Sequence, residues 1–376
     1  MDFRDIKMIL LADWEPIQLA AMAAAILVGL LMIFFAVRSR RNYKKLPELP
    51  TAERNEDAVD KTSVVIPARN EEHNLKRALA SFRADRVVVV DDGSTDNTAS
   101  IATAYGALVV EPPPLKKGTH GKPNACQAGA DMAPASEFLL FVDADTWYEP
   151  PFIPSLAAAA LRDQRAMLSV FPRQECVTLA EKAILPYAFA LYFCGVSAEN
   201  LSDTSSPAAL ANGQCMFFRR TAYDFIGGHK MVLKTVIEDV ELARVAKRHQ
   251  LPVGVYRAEK LASVRMYDSF GAIWRGFTKN AFRFLMVNPR TGLQVVLASI
   301  VMSSWLPVLL FQIYAGTWIS AFVFALLPSM LFYSWYGSFG RALLTPLGIY
   351  AFQLIALNAM VHTTFGLPTQ WKGRPV

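Results

Sequence analysis

Positions 17–37 are uncharged throughout and apolar apart from Gln18. A run of about twenty such residues is what a helix needs to cross a bilayer. Arg38, Arg40, Arg41, Lys44 and Lys45 follow at once and mark the cytoplasmic side. A cleaved signal peptide would have a shorter apolar core with its basic residues in front. The far end of the chain repeats the pattern, with apolar segments at 293–312, 318–335 and 343–362 behind Arg275, Lys279, Arg283 and Arg290. Trp318, Trp335 and Tyr336 stand where interfacial aromatics are expected. Three full crossings there would leave Trp371-Lys372-Gly373-Arg374 outside, against the preference of its charges, so two to three membrane segments are expected in 291–366.

Between the ends the pattern shortens. Apolar runs of four or five residues alternate with helical stretches, the signature of a mostly parallel sheet with helices on both faces. Strands are expected at 63–66, 87–90, 108–110 and 138–142, and helices at 71–82, 95–105 and 122–132. The layout is therefore a short N-terminal segment (1–16), a membrane helix (17–37), a basic and polar linker (38–61), an α/β domain (62–290) ending in an interfacial helix, membrane segments (291–366) and a tail (367–376).

Candidate chemistry gathers at strand ends, the edge where open α/β sheets bind ligands. The apolar run Phe138-Leu139-Leu140-Phe141-Val142 delivers Asp143 and Asp145, two hard carboxylate ligands suited to Mg²⁺ or Mn²⁺ on a diphosphate. Asp-x-Asp alone also occurs by chance in loops. Pro67-Ala68-Arg69-Asn70-Glu71 is a turn at the end of the first strand, and Asp91-Asp92-Gly93-Ser94 follows the second. Asp96 serves equally well as a helix cap or as a ligand, whereas two adjacent aspartates exceed what capping needs. Lys122 opens a helix, where a cation opposes the helix dipole, so it is expected to face an anion. Neither the P-loop nor the Gly-x-Gly-x-x-Gly fingerprint is present, which disfavours P-loop kinases and dehydrogenases.

Four motifs in order and register, 64–72, 90–96, 121–125 and 141–145, resemble family 2 glycosyltransferases with the GT-A fold, a nucleotide-diphospho-sugar transferase domain of Rossmann-like build. Within that family, 168–172, 227–230, 270–279 and 371–374 are similar to the membrane-bound carotenoid and hopanoid glycosyltransferases, those of the diaponeurosporenoate type in particular. The resemblance implies that Pro67, Ala68, Arg69, Glu71 and Asp92 line a uridine pocket. It implies that Lys122 meets the nucleotide or its phosphates, and that Asp145, helped by Asp143, holds a divalent metal, Mg or Mn. The second half, about 148–257, is expected to build the acceptor side. Asn212 and Gly213 resemble the strand beneath the donor sugar, though a bulge explains Gly213 on its own equally well. Glu238 and Asp239 resemble the family's acidic pair opening a helix, with Asp239 as the base by register and Glu238 as second choice. Acidic residues also stabilise a first helical turn without any function. His229 is a further phosphate or acceptor candidate. Trp274, Arg275 and Lys279 lie on an amphipathic stretch at 270–285 that floats on lipid headgroups or closes the site.

Composition narrows the partners. The chain is 53% hydrophobic with mean hydropathy +0.25, too apolar for an ordinary soluble enzyme. Its net charge of +6 is concentrated beside the apolar segments, which suits an anionic lipid surface and not nucleic acid. Cys126, Cys176, Cys194 and Cys215 form no Cys-x-x-Cys and read as reduced thiols of a cytosolic domain. The expectation is a multi-pass enzyme of the cell membrane with its catalytic domain in the cytoplasm. It takes a UDP-sugar donor, with glucose as the sugar, and a lipophilic acceptor in the membrane, a carotenoid acid or alcohol. A hopanoid, ceramide or polyprenyl-phosphate acceptor is the alternative. A polysaccharide synthase is disfavoured because Gly276-Phe277-Thr278-Lys279 departs from the arginine-tryptophan motif of processive relatives.

Overall fold

The structure is a computed structural model that describes residues 15–196, 198, 201, 203–206, 208–287, 289–367, 370–371 and 374–375, with the backbone only at 280, 282–287, 370–371 and 374–375. Residues 1–14 of the expected segment 1–16, the side chains of Arg283 and Phe284, and Lys372 and Gly373 of the tail lie outside the described residues or side chains. The chain forms two compact units.

One unit holds residues 44–177, 197–284 and 359–376. Its strands are β1 (Thr62–Ala68), β2 (Val87–Asp91), β3 (Leu108–Val110), β4 (Phe138–Val142), β5 (Thr146–Tyr148), β6 (Met167–Phe171), β7 (Arg173–Gln174), β8 (Cys215–Arg219), β9 (Val253–Arg257) and β10 (Ala262–Val264). Seven of them make one sheet in the order β3-β2-β1-β4-β8-β6-β9. Pairing is parallel from β3 through β4 and again between β6 and β9, while β8 runs antiparallel to both its neighbours. A second sheet, β5-β10-β7, follows the Asp-x-Asp turn. β4 is buried along its whole length, as its unbroken apolar run requires. Phe138 stacks on Phe217 of β8 with ring centroids 4.8 Å apart. A buried side chain of that size contributes about 1.5–3 kcal/mol.

The expected strands 63–66, 87–90, 108–110 and 138–142 all form. The expected helix 71–82 is reduced to Leu75–Leu79, because residues 69–72 are drawn into loop hydrogen bonds with the turn after β2. The expected linker is only partly one. A helix spans Pro16–Lys45, so the basic cluster is helical, and Leu46 and Leu49 are buried. Leu49 N donates to Arg257 O at 2.7 Å and Arg257 N to Pro47 O at 2.8 Å, which ties this stretch to β9. Asn55 then caps a short helix, Glu56–Asp60.

The other unit holds residues up to 43 together with 178–196 and 285–358. Helix Leu179–Gly195 belongs here, not to the α/β domain in which its place in sequence puts it. Within this unit Arg38 donates to Cys194 O and Gln294 Oε1, both at 2.7 Å, and Tyr336 donates to Ala183 O at 2.7 Å. Such bonds suit helices packed in a medium that offers no competing water. Among the described residues, three helical segments are long and apolar enough to cross a membrane: Pro16–Lys45, Pro289–Tyr314 and Trp318–Tyr336. The third C-terminal segment is also helical, Thr345–Thr364, but is not among them.

Candidate active site

Two loops at the carboxyl ends of β1 and β2 are knitted together. Asn70 adopts a left-handed conformation (φ 51°), which its short amide tolerates. Its Oδ1 accepts from Thr95 N at 2.8 Å, and its own N donates to Ser94 Oγ at 3.0 Å. Asp96 accepts from Thr98 N at 3.0 Å and from Glu72 N at 3.1 Å, and Asp91 accepts from Ser94 N at 2.9 Å. Both are therefore loop-building caps. Arg69 donates to the carbonyls of Asp92 and Gly93. Asp92, the second of the adjacent aspartates, is left to line a cleft together with Pro67, Ala68, Arg69 and Glu71.

The cleft, ≈ 280 Å³ in volume, also brings in Lys122, Asp143, Asp145, Glu238 and Lys279. Lys122 is fixed by its helix, Gly121–Met132, which rides directly on the sheet. A Cβ on Gly129 would lie 2.3 Å from Val65 Cγ1 and 2.8 Å from Val90 Cγ2, so only glycine permits this approach. Lys122 Nζ lies 2.7 Å from Asp143 Oδ1 and 3.2 Å from Glu238 Oε1. Burial alone would lower its pKa. The charges of Asp143 and Glu238 outweigh that and hold it well above the usual lysine range. Burial, with the nearby charges of Glu238 and Glu71, pushes the Asp143 carboxyl up against the opposing pull of Lys122.

Glu238 and Asp239 open the helix Glu238–Arg248, as expected. They take different positions. Glu238 is buried on the cleft wall. Burial pushes its carboxyl up, but Lys122 and Lys279 bring it to the low side. Asp239 stands one layer back, outside the cleft lining. It accepts from Gly213 N and Val240 N, both at 2.8 Å. Burial and then the Glu238 charge push it up to about 6. Gly213 is the meeting point: a Cβ there would lie 2.9 Å from Lys122 Nζ, 3.4 Å from Asp239 Oδ2 and 3.5 Å from Glu238 Oε1.

Besides Gly213 and Asp239, four more of the expected site residues lie outside the cleft lining. His229 is fully buried, with Nδ1 2.8 Å from Tyr223 Oη and its ring against Phe141, and burial pushes its pKa down to about 3. It is a packing residue beneath β4 and does not line the cleft. Asn212 closes a local turn, accepting from Gln214 N at 3.1 Å, and the residue on the wall is Gln214. Trp274 and Arg275 also miss the cleft, whereas Gly276 and Lys279 of the same helix, Phe270–Val287, reach it. Gly276 and Lys279 are three apart and share a face, while Arg275 is rotated about 100° away. Tyr267 and Met266 line the wall ahead of that helix, with no sequence signal beyond their place before it.

A divalent ion fits the donor set at Asp143 and Asp145 in one specific way. Among the described residues no group of three or more His, Cys, Asp or Glu could hold a metal alone. Mg²⁺ is ordinarily bound through one or two carboxylates and completed by substrate phosphates and water, which is what two strand-end aspartates offer. The acid excess around Lys122 leaves that end of the cleft short of positive charge.

The α/β sheet in this order, with a carboxylate pair at the end of β4 and the acidic start of a helix lining the same cleft, has the GT-A fold. Residues 63–227 match the model of glycosyl transferase family 2. The 4,4'-diaponeurosporenoate glycosyltransferase of Staphylococcus haemolyticus (strain JCSC1435) is 30% identical over 237 residues, 60% of this chain and 62% of that protein. Its namesake from Staphylococcus aureus (strain USA300) is 30% identical over 231 residues, 58% and 60% of the two chains. The matched region thus spans less than two thirds of these relatives. Among solved structures, glucosyl-3-phosphoglycerate synthase from Mycobacterium tuberculosis, in complex with Mg²⁺ and uridine-diphosphate, has TM-score 0.41 and 19% identity, covering 63% of this chain and 84% of that one. S. aureus TarS 1-349 has TM-score 0.40 and 15% identity, covering 81% and 92%.

Proposed function

We propose that the protein is an inverting glycosyltransferase of the cell membrane, moving glucose from UDP-glucose to a membrane-embedded carotenoid acid or alcohol. The observation that carries this is the convergence of Lys122, Asp143 and Glu238 on one cleft that Arg69, Glu71 and Asp92 also line. The uridine is placed against Arg69, Glu71 and Asp92. Asp145 and Asp143 hold the divalent ion, which when bound neutralises charge on the diphosphate. Lys122 supplies a fixed positive charge beside the leaving diphosphate, where charge develops as the sugar departs. The acidic pair that opens the helix supplies the base for the acceptor proton, with Asp239, whose raised pKa suits the task, as first choice and Glu238, which lines the cleft, as second. Glu238 holds Lys122 in place. The lipid acceptor is supported by the apolar helices and by the name of the curated relatives. The basic residues of Pro16–Lys45 suit contact with anionic headgroups on the cytoplasmic side.

The test is turnover of UDP-glucose by the purified full-length protein in lipid nanodiscs with Mg²⁺ or Mn²⁺. Transfer to a carotenoid that stops in excess EDTA is expected. Full transfer in EDTA would remove the metal from the mechanism, and no turnover of any UDP-sugar would remove the donor assignment.

A further inference from the structure

We infer that Thr146 and Tyr148 are positioning residues, which fix the cleft wall at Gln214 to the turn that carries Asp143 and Asp145. This rests on the transferase proposed above and deepens it by naming what sets the spacing between the metal turn and the acidic pair.

Thr146 and Tyr148 belong to β5, directly after the two carboxylates, and both are buried. Thr146 Oγ1 donates to Asp143 O at 2.6 Å, and Tyr148 Oη donates to Gln214 O at 2.7 Å. The two hydroxyl oxygens lie 2.8 Å apart. A chain of contacts thus runs from the backbone of Asp143 to the backbone of Gln214, which lines the cleft. Beside Gln214, Gly213 N donates to Asp239 Oδ2 at 2.8 Å, so the chain ends next to the residue that holds the acidic pair.

The two hydroxyls act as a pair. Two hydrogens serve three contacts, and the carbonyls at both ends can only accept. Removing either hydroxyl therefore changes which contact the other can make. Packing alone does not call for the tyrosine: its ring stacks on Phe152 with centroids 4.2 Å apart and meets Phe82 at 5.4 Å, contacts that phenylalanine would make as well. The turn itself has further ties, Thr146 N to Asp143 O and Arg265 N to Asp145 O, both at 3.3 Å. Loss of the chain should thus be felt at Gln214 and Gly213 and spare the metal turn. Misplacing a reacting group by about 1 Å costs on the order of 10²-fold in rate, and a loosened wall should cost less.

Tyr148→Phe removes the hydroxyl and keeps the ring. In the full-length protein in nanodiscs without nucleotide, amide hydrogen exchange across 210–216 should speed by about threefold or more, while exchange across 143–148 stays near parental. With UDP-glucose, Mg²⁺ and retinol as acceptor, kcat for donor turnover should fall about tenfold, with UDP affinity within about twofold of the parent. Thr146→Val should move both readouts the same way and carries the test if Tyr148→Phe does not fold. Thr146→Ser, which keeps the hydroxyl, should leave them near parental. The double variant Thr146→Val/Tyr148→Phe should turn over within about twofold of Tyr148→Phe alone, since members of one network do not add. Parental exchange across 210–216, a parental kcat, a UDP affinity that falls with kcat, or multiplied losses in the double variant overturns the inference. No donor turnover by the parent protein counts against the transferase instead, and the exchange readout then decides the link by itself.

Discussion

The two ends of the cleft are built differently. The end proposed for the donor consists of loops at the ends of parallel strands β1, β2 and β4, where Asn70, Asp91 and Asp96 commit their side chains to backbone N–H groups. The end proposed for the acceptor is lined by Gln214, just before β8, and by Glu238 in the first turn of the helix Glu238–Arg248, with Gly213 and Asp239 behind them. At the donor end architecture and chemistry are separate residues: Asp91 builds and Asp92 faces the cleft. At the acceptor end they coincide, because Asp239 both holds Gly213 N and is the proposed base. Substitutions should therefore separate binding from stability cleanly at one end and mix them at the other.

The largest effect is expected from Asp145→Ala, which removes a proposed metal ligand at the donor end. Transfer should fall by about 10³-fold or more, with UDP affinity falling alongside, since metal-borne charge stabilisation is worth several kcal/mol. Steady-state rates together with UDP calorimetry check this. Unchanged UDP affinity would place the aspartate outside the donor site.

Asp239→Asn should cut transfer to a hydroxyl acceptor by about 10²–10⁴-fold, the usual contribution of a general base. UDP affinity should stay near that of the parent, which equilibrium binding measures. An active Asp239→Asn beside a dead Glu238→Gln would exchange the two roles.

A pH profile sharpens the same point. The groups facing Asp239 are Glu238, whose charge raises it with burial, and Lys122 with the Gly213 and Val240 N–H groups, which oppose the rise. The base works ionised. Transfer should thus hold steady at higher pH and decline as pH falls through about 6, roughly tenfold per unit below it. The acid limb should be missing from whatever activity remains in Asp239→Asn.

Gly129→Ala should have the smallest effect on chemistry and a measurable one on stability. The added methyl strikes Val65 and Val90, and such overpacking typically costs about 1–3 kcal/mol. Thermal unfolding should show the loss, with a modest drop in UDP affinity as the helix bearing Lys122 shifts. A variant of parental Tm would mean that the helix does not need its close seat.

The legible parts of the sequence were those with one physical demand. β1, β2 and β4 are buried on both faces, so their apolar runs announced them, and Asp92, Lys122, Asp143 and Asp145 stood where strand ends and a helix start had to bring them. Residues with two competing uses were harder. His229 follows two glycines like a loop ligand, yet the turn folds it inward onto Phe141 and Tyr223. Trp274 and Arg275 had the right residue types on the wrong helical face, and Gly276 and Lys279 had the right face. Helix Leu179–Gly195 hid its membership of the apolar unit because it is only 17 residues long and carries Glu181 and Lys182 in its first turn.

Equilibrium binding of UDP to the full-length protein, with and without Mg²⁺, tests the central claim most directly: the donor end binds through metal and carboxylate, independently of the acceptor-end base. Binding that requires the ion, is lost in Asp145→Ala and persists in Asp239→Asn is the predicted result. Binding of equal strength without the ion, or lost equally in both variants, would contradict it.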